Sequence, residues 1–177
     1  MRNYLAVVLV AGLISCNNTD QKAAGNLEKD STSKVDVKGQ AVALKDSKVQ
    51  AIYDGYITLK NALVQTKYED AQQAAAKLKS ALATFRGCES TALTADKIAV
   101  AKDIAAQRKD FTSLSADLIA MFKHADLEKG SIYVQHCPMA NKGDGGDWLA
   151  SEKNIQNPYY GSEMMECGAV VDEIKNK

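Results

Sequence analysis

From Val49 onward, apolar residues recur at steps of three and four. Val49, Ile52, Tyr56, Leu59 and Leu63 fall on one stripe of a helix. Thr66-Lys67-Tyr68-Glu69 has the hydroxyl-to-carboxylate spacing of a capping box and predicts the start of a second helix. Ala71, Ala74, Ala75, Leu78, Leu82 and Phe85 form its inner face. Arg86-Gly87 predicts its end, with Gly87 as the left-handed cap. Thr94, with Asp96 in the first turn, predicts a third start. The pattern then runs through Ile98, Ala101, Ile104, Ala105, Arg108, Phe111, Leu114, Leu118 and Met121. A break near Lys109-Asp110 would split that run into a third and a fourth helix. The stripes read as core and the connections are short. The expected fold is mainly α: an antiparallel bundle of three to four helices.

The pattern changes at Gly130. Six of the eleven glycines, both prolines, the single tryptophan and three of the five methionines lie between Gly130 and Gly168. Ile132-Tyr133-Val134 is a short β-like run, and Val170 to Ile174 reads as a last strand or a helical turn. Gly143-Asp144-Gly145-Gly146-Asp147 and Asn157-Pro158-Tyr159-Tyr160-Gly161 are turns. The bundle is thus expected to end in a Gly/Pro-rich loop region carrying one or two short strands.

Upstream of Val49 the chain reads as an address and a tether. Arg2 precedes an apolar run from Leu5 to Ile14, too short to span a bilayer, and Ser15-Cys16 follows. Leu13-Ile14-Ser15-Cys16 resembles the bacterial lipobox, which makes residues 1–15 a lipoprotein signal peptide and Cys16 the lipidated residue. Several acyl chains on one cysteine give stable membrane anchoring. Asn17 and Asn18 follow, with no aspartate directly after Cys16, which favours a periplasm-facing place at the outer membrane over the inner one. Between Asn17 and Ser47 the bulky apolar residues are Leu27, Val35, Val37, Val42 and Leu44. Residues 16–47 are therefore read as a lipidated cysteine and flexible tether, with weak docking open to Val35 to Leu44. Residues 48–177 are read as the helical domain.

Composition narrows the function. Twenty-two basic and 22 acidic residues cancel, so no field attracts nucleic acid. Aromatics are only 6% and 26 residues are alanine, which suits close-packed helices and not an aromatic-rich β-sandwich. There is no Gly-x-Ser-x-Gly elbow, phosphate-binding glycine loop or His-Glu-x-x-His pair, and only two histidines. The reading is a protein that is not an enzyme.

The chemistry on offer is soft. Cys137-Pro138-Met139 and Met165-Glu166-Cys167 mirror each other, with Met164 and His136 adjoining. Thiolate and thioether together select Cu(I) or Ag(I) over harder ions, whereas zinc wants a closed set of thiolates and imidazoles. Cys137 and Cys167 are the candidate thiolate ligands and Met139 and Met164 the thioethers, with Met165 and His136 as alternates. Trp148 would shield one side. A second reading stands beside this one. In an oxidising compartment Cys137 and Cys167 form a disulfide worth roughly 3 kcal/mol, and the methionines are core filler. A redox protein is the least favoured reading, for want of a close Cys-x-x-Cys pair. Cys88 reads as a buried apolar residue, a free thiol or an intermolecular bridge.

Cys137-Pro138-Met139-Ala140, Trp148-Leu149, Asn157-Pro158-Tyr159-Tyr160-Gly161, Met164 and Cys167-Gly168, with Arg108, Phe111, Leu114 and Ser115 upstream, resemble one family. It is the domain of unknown function numbered 3347, seen in Gram-negative lipoproteins and attached to periplasmic adaptors of heavy-metal efflux pumps. The resemblance runs from about residue 48 to 174. It implies metal handling, with an efflux adaptor as partner.

Overall fold

The computed structural model describes residues 41–176. Cys16 and the segments read as signal peptide and as most of the tether lie outside the described residues. The elements run β1 (Ala43–Leu44), α1 (Ser47–Val64), α2 (Tyr68–Ala83), α3 (Glu89–Ala99), α4 (Ile104–Phe122), β2 (Leu127–Lys129), β3 (Ser131–Cys137), β4 (Gly146–Ala150) and β5 (Ala169–Lys175). Four helices joined by short turns form the bundle, and each packs on its neighbour in sequence. Side chains link α1 to α4, where the Tyr56 and Phe111 rings stack at 5.4 Å. None of the described helices is long and apolar enough to cross a membrane.

α1 begins because the Asp46 carboxylate accepts from the Lys48 and Val49 amides at 2.7 and 3.3 Å. Its expected stripe is buried, and Tyr53 and Lys60 are buried with it. Gly55 lets α2 approach, since a Cβ there would meet the Leu78 side chain at 3.3 Å.

The α1–α2 corner differs from the expected capping box. No side chain caps α2, whose cap position is Lys67. Thr66 instead adopts a left-handed conformation, φ +56°, usually reserved for glycine. The Lys67 amide donates to the Ala62 carbonyl at 3.0 Å and the Thr66 amide to that of Leu63 at 3.1 Å. That is the Schellman closure of α1. The Thr66 hydroxyl faces Arg108 (3.0 Å) and not the α2 amides.

Three further boundaries are corrected. α2 ends at Ala83 with Thr84 as its cap, and Gly87, at φ +91°, lies in the following turn. α3 starts at Glu89, so Thr94 sits inside it and donates to the Ser90 carbonyl. The long run breaks at residues 100–103 and not at Lys109-Asp110. There Asp103 caps α4 through the Ala106 amide (2.8 Å), and the Tyr68 hydroxyl holds the freed Ala101 carbonyl at 2.6 Å.

The C-terminal region carries more strand than expected. β3 is the centre of an antiparallel sheet ordered β4-β3-β5, so Val170 to Ile174 is strand and not a helical turn. β1 pairs with β2, and Leu44 is buried. The body thus begins before residue 48: the last residues assigned to the tether are part of it. Strand alternation puts Ile132, Val134 and His136 on one face of β3, and Tyr133, Gln135 and Cys137 on the other. Opposite the first set stand Leu149 on β4 and Ile174 on β5, both buried in the core. The second set lies under the connection between β4 and β5, where Gln135 donates to the carbonyls of Glu152 and Asn154.

Candidate thiol site

Cys137 ends the central strand, so its backbone is held on both sides: opposite Gly146 on β4, and next to His136, which pairs with Ala169 on β5. Its side chain is fully buried. Cys167 arrives from the β4–β5 connection. The Cys167 amide donates to the Met164 carbonyl at 3.1 Å, closing a turn. Asn157, itself fully buried, holds that turn from inside. Its side-chain amide donates to the Cys167 carbonyl (2.9 Å), its backbone amide to the Met165 carbonyl (2.9 Å), and its Oδ1 accepts from the Tyr159 amide (2.8 Å). Gly168 completes the approach: a Cβ there would lie 2.6 Å from the His136 carbonyl oxygen and 3.0 Å from the Trp148 ring.

The outcome is a pair of thiols. The sulfurs of Cys137 and Cys167 stand 2.9 Å apart, against about 2.05 Å in a disulfide. Both residues, like Cys88, are free cysteines in this structure. Cys167 is half-buried where Cys137 is sealed. The hydrogen bond with Cys137, then burial, pushes the Cys167 thiol above its ordinary value, and the Met139 amide pulls the other way.

The remaining candidates divide. Met139 brings its backbone amide to Cys167 and leaves its side chain 53% exposed. Met164 and Met165 are half-buried in the turn that presents Cys167. Trp148 occupies the same sheet face as Cys137, fully buried, with Tyr159 against it edge-on at 6.1 Å. His136 is not brought to the pair. It is Cys137's neighbour on a strand, so it points to the opposite face, where its Nδ1 meets the Asp147 carboxylate at 2.7 Å. Among the described residues no group of three or more His, Cys, Asp or Glu side chains is placed to hold a metal ion. Cys88 is buried at the start of α3, its sulfur 4.0 Å from that of Met121.

Several supporting residues had no role assigned from the sequence. Arg108 donates to the carbonyls of Pro158 (2.9 Å) and Leu63 (3.1 Å) and to Thr66, tying the α1–α2 corner to the segment that Asn157 organises. An open cleft of about 860 Å³ lies beside it, between α4 and the turns at Asn141 and Tyr160. Lys60 is wholly buried against Glu152 at 2.6 Å. Its one sequence signal was a lysine four residues from Tyr56 and three from Leu63, inside an apolar face.

Residues 52–130 match the family DUF3347, described as a protein of unknown function. The match covers most of α1, then α2 to β2, and stops before Cys137, so the C-terminal residues that carry the resemblance lie beyond it. No curated protein and no solved structure matches the chain. Over residues 52–130, most of its helical bundle, the chain is thus similar to DUF3347, the family that its sequence resembles.

Proposed function

We propose that this protein is a non-catalytic holder of a soft monovalent ion, Cu(I) or Ag(I), which it sequesters or passes to an efflux adaptor. Cys137 and Cys167 are the thiolate ligands, Met139 and Met164 the thioethers, and Met165 an alternate. The observation that carries the reading is the meeting of two thiols, distant in sequence, at 2.9 Å on segments that also bear three methionines. A donor set of sulfur alone suits a soft ion and leaves zinc short of imidazole. Two sulfurs on one ion stand about 3.8 Å apart or more, given metal–sulfur bonds near 2.3 Å. Loading therefore requires the pair to part by about 1 Å, a movement assigned to the Cys167 turn because Cys137 is fixed in the sheet. Anchoring through lipid on Cys16, at the periplasmic face of the outer membrane, belongs to the same proposal. Changing Cys16 to Ser is expected to move the protein from the membrane to the soluble fraction; unaltered partitioning would refute the anchor.

The test is competition for Cu(I) against bicinchoninate, with the full reduced chain carrying Cys16→Ser. One ion per chain is expected. Cys137→Ser or Cys167→Ser should each remove most of the affinity, Met139→Leu and Met164→Leu less, and His136→Ala and Cys88→Ser none. Affinity should rise with pH, because the thiols bind only once deprotonated and that of Cys167 is held above its usual range. The same close approach favours a second reading, a disulfide-stapled interaction module. It predicts no competition by the reduced protein and an equal loss of thermal stability in the two cysteine variants. That pattern would replace the metal reading.

A further inference from the structure

We infer that Cys137 and Cys167 form a thiol–disulfide exchange couple, in which Cys167 attacks an incoming disulfide and Cys137 resolves the mixed disulfide. The sequence argues against such a couple, since 29 residues separate the two cysteines where a redox motif has two. The fold removes the objection. β3 and the Asn157-braced turn bring the sulfurs to 2.9 Å, less than about 1 Å from bonding distance.

The roles follow from exposure. Cys137 is fully buried, so no external disulfide reaches its sulfur. Cys167 is half-buried and lies beside Met139, whose exposed side chain offers an apolar lip to a docking molecule. Cys88 is buried, and its sulfur neighbour is Met121 and neither member of the pair.

The steps balance. The Cys167 thiolate attacks one sulfur of RS–SR. A Cys167–SR bond forms, the RS–SR bond breaks, and RS⁻ leaves and takes up a proton. The Cys137 thiolate then attacks the Cys167 sulfur, forming the Cys137–Cys167 bond and expelling the second RS⁻, which is protonated in turn. The protein gives up two electrons and two protons, and the disulfide becomes two thiols. The substrate class is a small, accessible disulfide. No metal takes part, so this inference stands or falls apart from the soft-ion proposal.

The experiment uses the full chain with Cys16→Ser and Cys88→Ser, reduced with dithiothreitol, freed of reductant and exposed to oxidised glutathione. Acid-quenched samples are read by mass spectrometry. The parent chain is expected to form the internal disulfide with no lasting adduct. Adding Cys137→Ser should trap one glutathione on Cys167. Adding Cys167→Ser should leave Cys137 at least about tenfold slower to react, because it is buried. Pulse alkylation of the reduced parent, which needs no further substitution, should label Cys167 before Cys137. Labelling of Cys137 first, adduct formation on Cys137 at the rate of Cys167, a mixed disulfide that persists on the parent, or a bond that resists millimolar dithiothreitol in the folded chain would each overturn the inference.

Discussion

Tyr56 shows how much one side chain holds. Its hydroxyl meets the Ser115 hydroxyl at 2.7 Å and accepts from the Leu149 amide at 3.1 Å, with the residue fully buried. Three elements, α1, α4 and β4, therefore meet on one oxygen. Removing it leaves a buried hydroxyl and a buried amide without that partner, and each loss is expensive in a low dielectric. Tyr56→Phe is expected to lower stability by about 2 kcal/mol in urea unfolding, although it deletes one atom. A loss below about 0.5 kcal/mol would mean that Ser115 and Leu149 find other partners. In the sequence, Ser115 and Leu149 stood out only as positions of the family resemblance. Nothing in a pattern of apolar spacing reveals that a tyrosine hydroxyl will join them.

At the scale of elements, what was legible is what local chemistry decides. The stripe of α1, the inner face of α2 and the strand character of Ile132 to Val134 depend on side-chain period alone. The boundaries depended on contacts far along the chain. Thr66-Lys67-Tyr68-Glu69 satisfies a capping box by spacing, yet Arg108, 42 residues on, takes the threonine hydroxyl, and the corner closes on α1 instead. The α3–α4 break was hidden because Ile98, Ala101 and Ile104 stay in phase across it, so Asp103 was the lone signal. The thiol pair was legible as a possibility and His136 was misplaced, because a one-residue offset on a strand reverses direction. Lys60 and Glu152, which join α1 to the segment after β4, belong to this scale too. Glu152→Ala should cost about 3 kcal/mol, since it strands a buried ammonium. A double change, Lys60→Met with Glu152→Leu, should recover most of that. Equal losses in the single and double variants would show that packing, and not charge, holds the joint.

For the molecule as a whole, burial of phenols sets the response to alkali. Burial, the first cause in each case, raises the ionisation of Tyr53, Tyr56 and Tyr159 far above the ordinary value. The folded chain therefore keeps three protons that the unfolded chain sheds near pH 10. The stability they lend is complete below about pH 10 and falls above it, by up to about 1.4 kcal/mol per pH unit for each tyrosine. Lys60 has the opposite sign. Desolvation lowers its value despite the attraction of Glu152, so stability rises with pH between that lowered value and the ordinary lysine range. The urea midpoint should accordingly hold up to about pH 10 and then drop steeply, and Tyr159→Phe should make the drop shallower. A midpoint that is flat through pH 11 would contradict the burial of these rings. Trp148 gives the molecule one more property. It is the chain's single indole, sealed against the Gly168 backbone on the thiol-bearing side of the sheet. Its fluorescence is therefore a local optical reporter for the Cys167 turn, while circular dichroism follows the helices. Midpoints that coincide by both signals would mean that the lid over the thiols and the bundle melt as one cooperative unit, and an earlier red shift of the indole that the lid opens on its own.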